Sequence, residues 1–267
     1  MADENETPVV QDGLDYWAKV PASVDGVLGG FGNGPLPRVD AQGSRNFLMR
    51  MMPHLCLVPS SLRKIDPPKY TRRIRALDVG AGIGRVTSTV LLALAHDVIL
   101  LEPTPSFIGE AIRLSSSWRG ISDASKSVTF LQGTLQDYDP RSPTPAISSP
   151  PPSSSTPGTT GFDIIWCQWC LGHLADPELV SFFRRCKEAL RDSIDETDVR
   201  TQSLIIVKEN VCFDNEDGTP ATVYDPEDSS VTRGDLAWKA AFQEAGLTLL
   251  REEEQLGLPK GLFAVKS

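Results

Sequence analysis

The segment LDVGAGIGR, Leu77–Arg85, constrains the fold more than any other part of the chain. It stands between the apolar run Ile74–Val79, which reads as a buried strand, and GRVTSTVLLALA, whose apolar residues recur at helical spacing. Glycines at 80, 82 and 84 in a strand-to-helix turn let a bound group approach the backbone, and the helix N-terminus turns its free N–H groups toward it. A dinucleotide fingerprint needs Gly-x-Gly-x-x-Gly, but here the third glycine comes one residue early and Arg85 follows. That weakens a nicotinamide reading. Glu102 ends the next apolar run, DVILLE, where a carboxylate can accept both hydroxyls of a ribose.

The remaining elements extend the same rhythm. Pro105–Trp118 reads as a helix. SVTFLQG (127–133), GFDIIWCQW (161–169) and QSLIIVKEN (202–210) read as strands, with a helix over Pro177–Arg191 that spaces Leu179, Phe182, Phe183, Cys186 and Leu190 helically. Leu236–Gly246 is one more helix, and LTLLREEE with GLFAVKS predicts an antiparallel pair at the sheet edge. Strands alternating with helices imply an α/β fold with a mostly parallel sheet covered on both faces. At 267 residues, 40% hydrophobic and 23% charged, the chain suits one large domain, expected over 13–267, with no apolar run near the roughly 20 residues that cross a bilayer.

Two polar stretches interrupt this pattern. Residues 139–161, DPRSPTPAISSPPPSSSTPGTTG, are too rich in Pro, Ser and Thr to bury apolar surface and predict a disordered insertion. RDSIDETDVRTQ is a smaller polar insertion. The acidic start, residues 1–12, is expected to be disordered and lacks the basic and apolar regions of a secretory signal. Five cysteines suit reduced thiols better than a disulfide framework, which together with the N-terminus points to a location inside the cell. A net charge of −9 argues against nucleic acid and for a cationic partner. The charge is uneven: between Lys208 and Arg233 there is no Lys or Arg, while Glu209, Asp214, Glu216, Asp217, Asp225, Glu227 and Asp228 all fall there. For an arbitrary run of this kind a solvated loop is the ordinary explanation.

The pattern acid-x-Gly-x-Gly-x-Gly, with Asp78 as the acid, resembles the first motif of class I S-adenosylmethionine-dependent methyltransferases. YWAKVPASVDGVLGGFG (16–32), GTLQDY (133–138), FDIIWCQWCLGHL, RRCKEAL (184–190), KEN (208–210) and YDPEDSSVTR (224–233) narrow it to a resemblance to the eukaryotic protein alpha-N-terminal methyltransferases. That resemblance implies a Rossmann-like α/β fold with a mostly parallel seven-stranded sheet, an N-terminal helical lid, and a substrate-binding insertion over 210–230, after the fifth strand. It implies S-adenosylmethionine as cofactor and repeated methylation of the free α-amine of proteins beginning X-Pro-Lys or X-Pro-Arg once the initiator Met is gone. Ribosomal or chromatin-associated substrates, in cytoplasm and nucleus, are expected with it.

Residue by residue, the resemblance implies Gly80, Gly82, Arg85 for the methionine carboxylate, Glu102, Pro103 and Thr104 toward the ribose, Leu135 and Gln136 near the adenine, and Gln168 at the methionine end. Arg85 suits a carboxylate because its guanidinium is a fixed fork, and Gln168 ends a strand where α/β sheets present ligand groups. On the substrate side it implies Trp17 and Leu28 in the lid, Trp169 against the proline, Asn210 on the first residue's backbone, Asp225 and Asp228 for the basic residue and the amine, and Ser230 as a lesser contact. Taken alone, Trp17 and Trp169 would be read as core and Asn210 as a loop residue or cap. Asp228 and His173 are the expected catalytic pair, deprotonating an amine whose ordinary pKa is about 7.7–8.0. Where the family commonly has a tyrosine in its last strand, this chain has Phe263.

WCQWCLGHL (166–174) raises a rival reading, a zinc or dithiol site on Cys167 and Cys170 with His173. Such a site needs a second ligand pair, and Cys186, Cys212, His54 and His96 are solitary, so no metal is expected. Two further rivals are a non-catalytic cofactor-binding domain and a class I methyltransferase acting on lysine side chains or small molecules.

Overall fold

The computed structural model describes residues 7–56, 72–142, 146–147, 161–198 and 201–267. Five parallel strands form the centre of its sheet: β1 Arg75–Val79, β2 Asp97–Glu102, β3 Ser127–Gln132, β4 Ile164–Gln168 and β5 Leu204–Cys212. β6 Thr222–Asp225 and β7 Ser230–Gly234 make an antiparallel hairpin, with β7 running parallel to the end of β5. β8 Ala264–Lys266 pairs antiparallel with Glu209–Val211 of β5. The strand order is β3-β2-β1-β4-β5-β7-β6, with β8 off this path against β5.

Alternating strand residues feed two separate cores. Ala76, Val98, Leu100, Ile164 and Trp166 pack on one face, while Leu77, Ile99, Leu101, Ile165 and Cys167 pack on the other. That two-sided burial explains why these strands read as unbroken apolar runs. The first face is covered by α2 (Leu36–Met51), by a π turn at Thr87–Leu91 leading into α3 (Leu92–Leu94), and by α4 (Pro105–Ser115). The second is covered by α5 (Asp176–Glu188) and α6 (Asp235–Glu244). In α5 four of the five residues of the predicted stripe, Leu179, Phe182, Phe183 and Cys186, are completely buried, while the helix ends at Glu188 and Leu190, beyond it, is partly buried. Each large side chain of that set stabilises by about 1.5–3 kcal/mol relative to exposure.

Four expectations need correction or placing. The N-terminal stretch expected to be disordered through residue 12 is helical from Val10, the start of α1 (Val10–Trp17). The disordered insertion expected over 139–161 falls mostly outside the described residues, as do residues 1–6. LTLLREEE is not a strand: Leu249 and Leu250 are about half exposed, and the segment meets the chain end only around Glu253–Gln255, opposite Val265–Ser267. β8 is three residues long and takes the β5 edge only at Glu209–Val211, while LTLL stands off the rest of that edge across a cavity. The hairpin β6–β7, expected only as an insertion, adds two strands, so among the described residues the sheet has eight strands rather than seven.

Candidate active site

All five central strands are parallel, so their C-terminal ends lie along one edge of the sheet, the place where open α/β sheets bind ligands. A cavity of about 130 Å³ opens there. A larger one, about 260 Å³, lies along the outer edge of β5, lined by side chains such as Phe47, Met51 and Trp238. The smaller cavity is the candidate site because the convergent polar groups and the glycine turn face it.

The glycine turn follows β1. Gly80 has φ +60°, and a Cβ there would stand 2.4 Å from the Cβ of Cys170. Gly84 has φ +78°, and a Cβ would stand 2.4 Å from the Trp118 ring. Both positions therefore require glycine on conformation and on space. Glu102, at the end of β2, locks this turn to the next one. Its two carboxylate oxygens accept from the Gly82 and Thr104 N–H groups, each at 2.8 Å. Burial pushes its pKa up, against the pull of those backbone bonds. Spare lone pairs on both oxygens can still take a pair of hydroxyls.

All nine expected cofactor residues line this cavity: Gly80, Gly82 and Arg85 from the first turn, Glu102, Pro103 and Thr104 from the second, Leu135 and Gln136 after β3, and Gln168 ending β4. The cleft thus holds a carboxylate for hydroxyls, glycines that admit a ligand to the backbone, and an arginine for an acid, a donor set that fits S-adenosylmethionine.

Arg85 does not stand alone in it. It forms an ion pair with Asp40 of α2, and its guanidinium lies 5.3 Å from the centre of the Trp169 ring. Gln168 donates to both Asp40 oxygens at 2.9 and 3.0 Å and accepts from Trp166 Nε1 at 3.0 Å. Lys208, completely buried, pairs with Asp40 at 2.7 Å. Asp40 and Lys208 were not expected from the sequence.

The turn after β4 carries the expected substrate-facing residues. Trp169 sits at φ +54°, which ends the strand and turns its side chain to the cavity. Cys167 and Cys170 both end in the core below the sheet, with burial pushing both thiols well above their ordinary range. Glu209, on β5, accepts from the N–H groups of Cys170 and Leu171 at 2.9 and 3.0 Å, both on Oε1. Arg233, next to last in β7 and almost wholly buried, donates to the carbonyls of Leu171 and Leu174. These two clamp the turn that bears His173, and the sequence had marked neither for this.

His173 lines the cavity and accepts from Trp17 Nε1 at 2.9 Å on its Nε2. Burial holds its pKa below the ordinary value, while Asp228 and the Ser229 backbone pull the other way. Trp17 packs edge-on against Phe107 and His173, and α1 covers the site with Val10, Gly13, Leu14 and Trp17. Leu28, expected in the lid, is buried but leaves the lining to its neighbour Val27.

Asn210, Asp225, Asp228 and Ser230 do not line the cavity. Asn210 lies within β5, opposite Val265 of β8. Asp225 and Ser230 face each other across the mouth of the β6–β7 hairpin. The hairpin turn is bound to α1, since Val9 N–H donates to Ser229 Oγ at 2.8 Å. A Cβ on Gly13 would stand 3.2 Å from His173 Nδ1 and 3.3 Å from the Asp228 carbonyl, so helix, imidazole and acidic turn meet closely. Tyr16 feels that turn: burial first, then Glu227, Asp228 and Asp225, raise its pKa. Asp228 Oδ1 is buried with no hydrogen-bond partner among the described residues. Phe263 is nearly half exposed, away from the cavity. Among the described residues no group of three or more His, Cys, Asp or Glu is arranged to hold a metal ion.

A family described as "AdoMet dependent proline di-methyltransferase" matches residues 5–267. The chain is similar to the alpha N-terminal protein methyltransferase 1 of Schizosaccharomyces pombe, 36% identical over 255 residues that cover 96% of this chain and 92% of that one. It is 33% identical to the N-terminal Xaa-Pro-Lys N-methyltransferase 1 of Rattus norvegicus over 264 residues, 99% of this chain and 96% of the other. Among solved structures, a SAM-dependent methyltransferase of Leishmania major superposes with a TM-score of 0.69 at 31% identity, covering 96% of this chain and 80% of that one.

Proposed function

Because the chain belongs to the family of AdoMet-dependent proline di-methyltransferases, we propose that it methylates the free α-amine of proteins whose mature chains begin X-Pro-Lys or X-Pro-Arg, in repeated rounds. As a member of that family it is an S-adenosylmethionine-dependent methyltransferase. The observation that carries the substrate reading is Asp228 Oδ1, a buried carboxylate oxygen with no partner among the described residues, set beside His173 and the cavity. A buried acceptor left unmade costs about 1–3 kcal/mol, and an incoming amine removes that cost.

The bound cofactor supplies an electrophilic sulfonium methyl. The chain's own residues do the rest. Asp228 accepts a hydrogen bond from the amine and takes its proton, a modest demand on a group whose ordinary pKa is about 7.7–8.0. His173 is kept neutral by burial and has its Nε2 lone pair on Trp17, so it takes a proton only when that indole moves; until then it ties the lid to the acidic turn. Trp169, beside the cavity, offers a flat face for the proline ring. Asp225, exposed at the hairpin turn, offers a charge to the basic third residue. Most of the acceleration comes from holding amine and methyl donor in line. Asn210 and Ser230 contribute polar contacts along the peptide, and Leu28 supports the lid from behind Val27.

The test incubates the chain with labelled S-adenosylmethionine and an X-Pro-Lys peptide whose N-terminus is free or acetylated. Label is expected on the free α-amine alone. Equal labelling of the two peptides, or label on the lysine side chain, would refute α-amine chemistry. Ribosomal or chromatin-associated proteins are the proposed carriers, with the enzyme in cytoplasm and nucleus. Mass spectrometry of X-Pro-Lys N-termini after gene deletion checks the carriers, and imaging of the tagged chain checks the location.

A further inference from the structure

Two buried cations share one buried carboxylate beneath the cavity. Asp40 pairs with Arg85 and, at 2.7 Å, with Lys208, and also accepts from Gln168. Asp40 and Lys208 are completely buried, and the Arg85 side chain is nine-tenths buried. Lys208 spends its other donors on neutral oxygens, Ser44 Oγ and Gln255 Oε1, both at 2.9 Å. The cluster therefore carries one positive charge in excess. The remaining acid of the first turn, Asp78, is tied by the Thr87 hydroxyl at 2.5 Å, and burial favours its neutral form. Of the two cations only Arg85 lines the cavity.

We propose that Lys208 is a positioning residue for cofactor binding: by occupying Asp40 it leaves the Arg85 guanidinium with charge and donors to spare for an acid group in the cavity. This rests on the reading of Arg85 as the partner of the cofactor's carboxylate. Without Lys208, Asp40 would neutralise Arg85 alone, and the cavity would lose its excess charge. With both Lys208 and Asp40 made neutral, Arg85 would regain it.

The test compares S-adenosylhomocysteine with 5′-methylthioadenosine, which shares the nucleoside and thioether but has no amino-acid carboxylate. Calorimetry measures both ligands on the wild type, on Lys208→Met, and on the double variant Asp40→Asn/Lys208→Met. Lys208→Met is expected to weaken S-adenosylhomocysteine by about tenfold or more and to leave 5′-methylthioadenosine within about twofold. The double variant, which has no buried unpaired acid and so also covers the case of a single variant that fails to fold, is expected to recover the lost affinity. Equal losses for both ligands, no loss for S-adenosylhomocysteine, or no recovery in the double variant would overturn the role of Lys208. If the wild type binds the two ligands equally well, the carboxylate reading of Arg85 fails, and this inference with it.

Discussion

In the reaction proposed above, Asp228 is the group that takes the proton of the amine. Asn at this position keeps the shape and one acceptor oxygen but cannot take a proton, so Asp228→Asn should lower turnover by about a hundredfold or more. The affinity for S-adenosylhomocysteine should stay within about twofold, since Asp228 does not line the cofactor cavity. Steady-state kinetics with parallel calorimetry check this, and near-normal turnover would remove Asp228 from the mechanism. At this scale the sequence was informative where chemistry clusters along the chain. Glu102 and Gln168 sit at strand ends that the apolar pattern marks, Gly80 and Arg85 in the glycine turn after one, and all line one cavity. Asp40 and Lys208 were invisible because they meet only through the fold, 168 positions apart. A buried lysine in LIIVKEN looks, from sequence, like the polar end of a strand.

The elements around the site are held by groups whose protonation matters. Burial pushes the Glu209 carboxyl up to about 7, against the Leu171 and Cys170 N–H groups and Arg233. An unfolded glutamate titrates near 4.3, so the folded state holds this proton over a range where the unfolded chain has lost it. The contribution is full below about pH 4.3 and is lost as pH rises through about 7. Glu209→Gln keeps an Oε1 for both N–H groups and cannot ionise, so its stability should fall less than the wild type's between pH 5 and 8. Denaturant unfolding across that range checks the prediction; an unchanged slope would mean that Glu209 titrates normally. Asp78, also pushed up to about 7 by burial, retains its own part of the slope in both proteins. Among elements, the strands buried on both faces and the striped helix α5 were legible, because their patterns record burial directly. The β6–β7 hairpin was not, since TVYD is largely exposed and carries no alternation to mark it. LTLL failed the other way: it has a strand's composition but stands across a cavity from β5 rather than pairing with it.

Across the whole molecule, the charge would suit the cationic peptide proposed as substrate. The chain carries −9, and the stretch without Lys or Arg between Lys208 and Arg233 ends in the turn that faces α1 beside the site. Exposed charges such as Asp225 and Glu227 act at a distance, and salt screens them beyond about 10 Å at 0.1 M. The KM for an X-Pro-Lys peptide should therefore rise several-fold between about 50 and 500 mM salt, with a smaller change in S-adenosylhomocysteine affinity. A KM indifferent to salt would discard electrostatic capture. The α/β class, the glycine turn and the cavity residues near the strand ends were legible along the chain, because period, glycine and strand-end chemistry are local properties. Which ions share Asp40, what clamps the His173 turn, and the contact of α1 with the acidic hairpin emerged only from the packed fold. Those contacts join residues far apart in the chain, and the burial that makes a charge or an unpaired oxygen consequential exists only once the layers have packed.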